Sequence, residues 1–351
     1  MIQFGFHGHG MIRKFLVPVI KEFGYTPEIL DISSLNLEQI SNLLNSHEIV
    51  SDCVLFTNCD PWRFDDSSIF NFGSLKGKTV ILQTMGYANT KYSPLHYKLS
   101  FPPFYFIRHM PEVDILSTDL DYGFSCLNNT ISPERLVIGD KFYSLGLLDK
   151  IIFSQNLNDN DNHFLERLLE DSQDIYSYLN LPNLNKYTKL LPISYEEDTS
   201  KFFSFTSHEE HMRWAMSTEH PAWKKAYCNI VVETTSTEYP FYLNLNRTHM
   251  SEKSQKPFSS KQIPLIVGGQ GHYAYLKSLG FEMMEDLLPT GYDNMPFLEK
   301  VNAMASVVEK GKEFIKDFYF SHLKEIEHNY KLVMSDSVEH KILNNIRSVF
   351  Q

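Results

Sequence analysis

Cysteine is sparse in this sequence, and its spacing points to no pairing. The four residues Cys53, Cys59, Cys126 and Cys228 form no C-x-x-C spacing, which argues against a zinc site or a disulfide framework. Cys53 lies in the apolar run CVLFT and reads as a small buried hydrophobe. No apolar run approaches the ~20 residues that cross a bilayer. The opening MIQFGFHGHG alternates like a strand and lacks the charged-then-apolar order of a signal peptide. The expectation is a soluble cytoplasmic protein with no membrane span. Positive charge is also short: 32 Lys and Arg face 43 Asp and Glu, for a net charge of -11. That balance disfavours nucleic acid as a partner unless a local basic groove exists.

Several catalytic patterns are missing as well. GFHGHG has no G-x-G-x-x-G, so a dinucleotide dehydrogenase is not indicated. FGSLKGKT is one residue short of a phosphate loop and precedes the strand VILQT, whereas a phosphate loop follows its strand. In SFTSHEEHMRWAMS, His208 and His211 stand three apart, with the carboxylates in the wrong order for H-E-x-x-H. No D-x-D pair sits in a convincing loop.

What is present is an α/β pattern. A length of 351 residues suggests two domains. The 42% hydrophobic and 21% charged residues are those of a globular chain. Aromatics reach 14%, with 26 Phe and 19 Tyr, and read first as core and second as sugar-stacking surface. In the first third, IQFGF, TPEILDI, CVLFTN and KTVILQTMG read as strands. MIRKFLVPVIKEFG and NLEQISNLLNS read as the helices between them, the first perturbed by Pro18. FYFIRHM and VDILSTD continue the series to about residue 119.

A second series follows, with strands YGFSCLNN, KIIFSQ, AYCNIVVET and IPLIVGG. Its helices are SPERLVIGDKFYSLGLLD, capped by Ser132, and HYAYLKSLG. Long helical patterns run from about Met295, with no obvious loop until near Met334. The organisation implied is two Rossmann-like domains facing across a cleft, with long C-terminal helices. The expected boundaries are 1–118, 119–305 and a helical segment 306–351 that returns to the first domain. Ligands in such sheets bind beyond the carboxyl ends of strands. The polar tails GHG, TNCDPW, LNNT, VVETTS and VGGQG are therefore the candidate functional edges.

Two of these edges, and the stretch that leads into IPLIVGG, carry residues suited to a nucleotide sugar. In RTHMSEKSQKPFSSKQIPLIVGGQGHYAYLKSLGF, from Arg247 to Phe281, Ser251 can cap a helix beginning at Glu252. The free amides of that helix start favour an anion. Lys253 adds a cation in the first turn, where the dipole disfavours one unless an anion shares the site. Arg247 lies six residues earlier and can reach the same phosphate. The competing reading is a solvated surface cap. NIVVETTSTEY ends its strand with Glu233, Thr234 and Thr235, a carboxylate and two hydroxyls that suit ribose or sugar. FSCLNNTISPERL ends another strand with Asn128 and starts a helix bearing Arg135, which with Lys253 can stabilise a leaving diphosphate.

From Asn229 to about Asp293, on VVETTS, SEKSQKPF, IPLIVGG and LKSLGFE, the chain resembles the donor-binding half of glycosyltransferases with the GT-B fold, specifically fucosyltransferase-like enzymes. The block FSCLNNTISPERLVIGDKFYSLGLLDK is similar to that family's strand-turn-Arg-helix block. The resemblance implies that Glu252 holds the ribose or sugar and that Lys253 and Arg135 hold the diphosphate. It implies that Glu233 shapes the donor pocket. It further implies transfer from a nucleotide-diphosphate sugar to a glycan or other hydroxyl acceptor, inverting and metal-independent, with no cofactor beyond the donor. ETTS stands where fucosyltransferases carry Glu-Asn-Ser, which leaves the sugar open. An inverting transfer needs a base, and the candidates on the first domain's strand ends are His7, His9 and Asp60. A histidine that only caps the helix at Met11 is the plain alternative. Two rival functions remain at this level: a phage-type glycosyltransferase acting on a hydroxylated base in DNA, and a non-catalytic nucleotide-sugar-binding protein.

Overall fold

The computed structural model of the chain describes residues 12–32, 35, 37–58, 69, 71–84, 90–100, 119–128, 132–155, 183–193, 225–233 and 250–351. Among them are two separate sheets, each with four parallel strands, flanked by helices.

The first sheet contains β1 (Pro27–Asp31), β2 (Cys53–Asn58), β3 (Thr79–Thr84), β4 (Thr90–Ser93) and β5 (His96–Ser100). Their order is β1-β2-β3-β5-β4, with β4 antiparallel at the edge. The sheet is apolar on both faces, as a covered parallel sheet requires. Val54, Phe56, Val80 and Leu82 pack with Ile40 and Leu44 of helix α2 (Leu37–Ser46). Cys53, Leu55, Ile81 and Leu99 face the other way, against Val19 and Ile20 of helix α1 (Val17–Glu22). Pro18 has the expected effect on this helix. It stands at the start of the α-helical part, which follows a wide π turn over Ile12–Leu16. The strands expected at IQFGF, FYFIRHM and VDILSTD lie outside the described residues.

The second sheet contains β6 (Tyr122–Asn128), β7 (Ile152–Gln155), β8 (Ala226–Val232) and β9 (Ile263–Val267), ordered β7-β6-β8-β9 and all parallel. Every residue of β7, β8 and β9 is buried. Helix α3 (Pro133–Ser144) follows β6, with its first turn closed by the Ser132 hydroxyl, which accepts from the Arg135 amide. Helix α4 (Leu184–Tyr187) packs on α3, and a short helix α5 (Lys256–Ser259) precedes β9. Helix α6 (His272–Leu279) follows β9 and ends at Gly280, whose φ of 104° suits glycine at a helix stop.

The C-terminal region breaks earlier than its sequence pattern suggests. It forms α7 (Phe297–Glu309), α8 (Gly311–Ser321), α9 (Leu323–Val333) and α10 (Ser337–Phe350). Gly311, at φ 84°, separates the first two, and His322 leaves helical geometry between the next two. Helix α8 lies across β6 and β8, and α7 lies on β9 and α3. Helix α10 packs against α1, β4 and β5 of the first sheet as well as α6 and α9 of the second unit.

Candidate functional site

Strand order fixes where polar residues gather. From β6 the chain moves outward to β7, then returns to the other side of β6 to lay down β8 and β9. The connections leaving β6 and β8 therefore diverge, and the carboxyl ends of these neighbours form a topological switch point, the usual ligand crevice of an open parallel sheet. Gln155 and Asn128 sit in register at the ends of β7 and β6, and Glu233 continues β8 by donating its amide to the Val267 carbonyl at 3.1 Å.

The two sides of the crevice are set by alternation along the strands. Gly123, Ser125, Asn229 and Glu233 share one face. A Cβ on Gly123 would meet Ile315 and Lys312 of α8 at 2.9 Å, which identifies that face as the one α8 covers. Cys126 and Asn128 share the other face, where the Arg135 charge on α3 acts on the Cys126 thiol and that thiol acts in turn on Tyr187 of α4. Arg135 and Glu233 thus approach the switch point from opposite sides of the sheet.

On the Glu233 side the structure gathers Glu233, Ser251 and Lys253, and adds Ser254. Glu233 is fully buried. Its Oε1 accepts from the Ser251 amide at 3.1 Å and the Ser254 hydroxyl at 2.5 Å, and its Oε2 accepts from the Ser251 hydroxyl at 2.7 Å. Ser251 Oγ also accepts from the Lys253 amide at 3.2 Å and from Lys253 Nζ at 3.3 Å. One carboxylate, which only accepts, is thereby matched to donors from a single turn. The helix expected at Glu252 is shorter than its sequence suggests. Glu252 opens a single 3-10 turn ending at Ser254, and α5 adds four residues. So short an element has little macrodipole. Any anion held here would be held by the Lys253 ammonium and local amides.

On the α3 side, Arg135 and Asn128 are buried. Asn128 Nδ2 leans back onto Cys126 Sγ at 3.5 Å. Burial pushes the Cys126 thiol up to about 12, against the Asn128 side-chain bond and the Arg135 charge, and so disfavours the thiolate. Cys53 is raised in the same way to about 12, and burial raises Cys228 as well. Tyr187 donates to Gln155 Oε1 at 2.6 Å.

The glycine turn after β9 is closed by internal groups. Lys300 of α7 is buried and donates to the carbonyls of Gly268 and Gly269 at 3.0 and 3.1 Å. Asp293 accepts from the amides of Tyr273 and Ala274, both at 2.9 Å, and so supplies the anion at the start of α6. Of the edges picked out by sequence, VGGQG is therefore engaged in the fold itself.

His7, His9, Asp60, Thr234, Thr235 and Arg247 lie outside the described residues, as do His208 and His211. Ser254, Gln155, Lys300 and Asp293 were not singled out by sequence. Only Ser254 had a local signal, its Ser-x-x-Ser spacing from Ser251. Among the described residues no group of three His, Cys, Asp or Glu is placed to hold a metal ion, and no helix is long and apolar enough to cross a membrane.

Fold and site together define a two-domain α/β protein of the Rossmann-like kind, with a polar cluster at the switch point of its second sheet. No protein-family model, curated protein or solved structure matches the chain.

Proposed function

We propose that the chain is a glycosyltransferase that takes a sugar from a nucleotide-diphosphate donor and passes it to a hydroxyl acceptor. The observation that carries this reading is the cluster at the β6–β8 switch point. Lys253 is tied through Ser251 to the end of β8, and Arg135 stands on the opposite side of the same sheet edge. In the reaction, the acceptor oxygen bonds to the anomeric carbon as the bond from that carbon to the diphosphate oxygen breaks. The electron pair leaves with the diphosphate, and the acceptor proton passes to a base. Lys253, Arg135 and Arg247 are assigned to the charge that grows on the leaving group. Glu252, Thr234, Thr235 and Asn128 are assigned to the donor's hydroxyls and base. His7, His9 and Asp60 are the candidates for the base. Inverting, metal-independent transfer follows from the resemblance to fucosyltransferase-like enzymes.

Thermal shift against UDP, GDP, CDP and their sugars tests the donor class directly. Stabilisation by one nucleoside diphosphate and its sugar is the expected result. Calorimetry on Lys253→Ala should then show binding weakened by about 10-fold or more, the scale of one charge-assisted hydrogen bond. Unchanged affinity in that variant would remove the diphosphate assignment. Release of sugar from the bound donor separates a transferase from a protein that only binds.

A further inference from the structure

Glu233 ends a strand at the crevice, where a carboxylate would be expected to meet the donor's hydroxyls. Its oxygens are instead engaged by the Ser251 amide and hydroxyl and by the Ser254 hydroxyl, at 3.1, 2.7 and 2.5 Å. Its side chain is fully buried, as is that of Ser254, and Ser251 is nearly so. Ser251 connects this carboxylate to the Lys253 ammonium. Its hydroxyl hydrogen goes to Glu233, which leaves the oxygen lone pairs to accept from the amide and the ammonium of Lys253.

We infer that Glu233 is a positioning residue. It fixes the rotation of the Ser251 hydroxyl, and that hydroxyl aims the Lys253 ammonium at the diphosphate of the donor. The inference rests on the diphosphate reading of Lys253 given above. Three physical points support it. A serine hydroxyl rotates freely unless its proton has a committed acceptor, and the buried carboxylate is that acceptor. A lysine side chain carries four rotatable bonds and gains placement only from groups that hold its end; Ser251 Oγ, at 3.3 Å, is such a group. Finally, the turn is too short for its dipole to orient a ligand, so placement of the ammonium matters more.

The two serines make the test specific. Both hydroxyls donate to Glu233, but only Ser251 also meets Lys253. The probe is inorganic pyrophosphate, the part shared by every nucleoside diphosphate, titrated by calorimetry into the full chain. Lys253→Ala is expected to weaken binding by about 10-fold or more, and Ser251→Ala and Glu233→Gln by about 3- to 10-fold. Ser254→Ala should bind within about 2-fold of the parent while losing thermal stability comparably to Ser251→Ala, because it removes a bond to the same carboxylate. Ser251→Thr, which keeps a hydroxyl, should restore affinity. In a Lys253→Ala background, Glu233→Gln should have no further effect on binding. If Glu233→Gln is not recovered folded, the serine pair carries the comparison. Equal weakening by Ser251→Ala and Ser254→Ala would overturn the relay and leave Glu233 as a support for the turn alone. Parent-like binding by Lys253→Ala, or no pyrophosphate binding by the parent, would instead overturn the diphosphate reading, and the relay with it.

Discussion

Asp140 lies on α3 with only 3% of its surface exposed, and among the described residues its Oδ1 has no hydrogen-bond partner. Burial raises its pKa from the ordinary 3.8 to about 6, against the smaller opposing effects of the Asn183 amide and Lys141. A carboxyl raised in the folded state binds its proton more tightly there than in the unfolded chain. Its contribution to stability is therefore complete below pH 4 and is lost as the pH climbs through about 6. Asp140→Asn is expected to stabilise the protein at pH 7.5 by on the order of 1–3 kcal/mol and to make no difference near pH 4. Thermal melts of both proteins across that range check the prediction. Next to it, a Cβ on Gly139 would fall 2.0 Å from the hydroxyl oxygen of Tyr187. Gly139→Ala must displace α4 or break the Tyr187 bond to Gln155, at a cost of about 2–3 kcal/mol. A loss below about 0.5 kcal/mol in denaturant unfolding would contradict the close packing of α3 on α4.

Among the elements, short ones are set by what closes them. Helix α6 receives at its start the carboxylate of Asp293, twenty-one residues after its first residue. Asp293→Ala should cost about 1–2 kcal/mol, because two amides lose their acceptor, and Asp293→Asn should cost less. Urea unfolding of the two variants orders them. At the other end of α6, Lys341 of α10 donates to the Leu279 carbonyl at 2.8 Å, and His328 of α9 meets the Gly280 carbonyl at 2.9 Å. The helix stop is thus held by two different helices. Such tertiary caps have no sequence signature near the helix they close. The sequence pattern therefore located α6, read as HYAYLKSLG, but could not show that VGGQG was already supplied with partners.

For the whole molecule, α10 ties the C-terminus to the first sheet. Phe350 stacks on Phe23 at 4.9 Å and lies 4.8 Å from the ring of Tyr97, while Arg347 makes a two-pronged pair with Glu22 at 2.8 and 2.9 Å. The ion pair is exposed and screened by salt, whereas the aromatic contacts are partly buried and uncharged. Phe350→Ala should lower stability by about 1–3 kcal/mol at any salt concentration. Arg347→Ala should have a small effect that disappears in 0.5 M salt, on the order of a 4 Å Debye length. Melts of both variants at low and high salt separate the two contributions.

The sequence by itself determined the elements whose signals are local. Apolar runs such as CVLFTN and AYCNIVVET became strands buried on both faces, and Ser132 and the glycine closing MIRKFLVPVIKEFG marked helix ends. Period and cap chemistry act over a few residues, so they can be read from a few residues. The hairpin of β4 and β5 has no local signal because TKYS and HYKLS mix charge with apolar positions, and it packs against β3 and α10. Only the tertiary structure decided the strand order that creates a switch point between β6 and β8. The same holds for Glu233, which sequence places at a strand end and the fold places against Ser251 and Ser254. A carboxylate's role depends on which donors reach it first, and here those donors lie 18 and 21 residues further along the chain. Spacing along a chain carries no record of that encounter. It is set by the packing of the Glu252–Ser254 turn against β8.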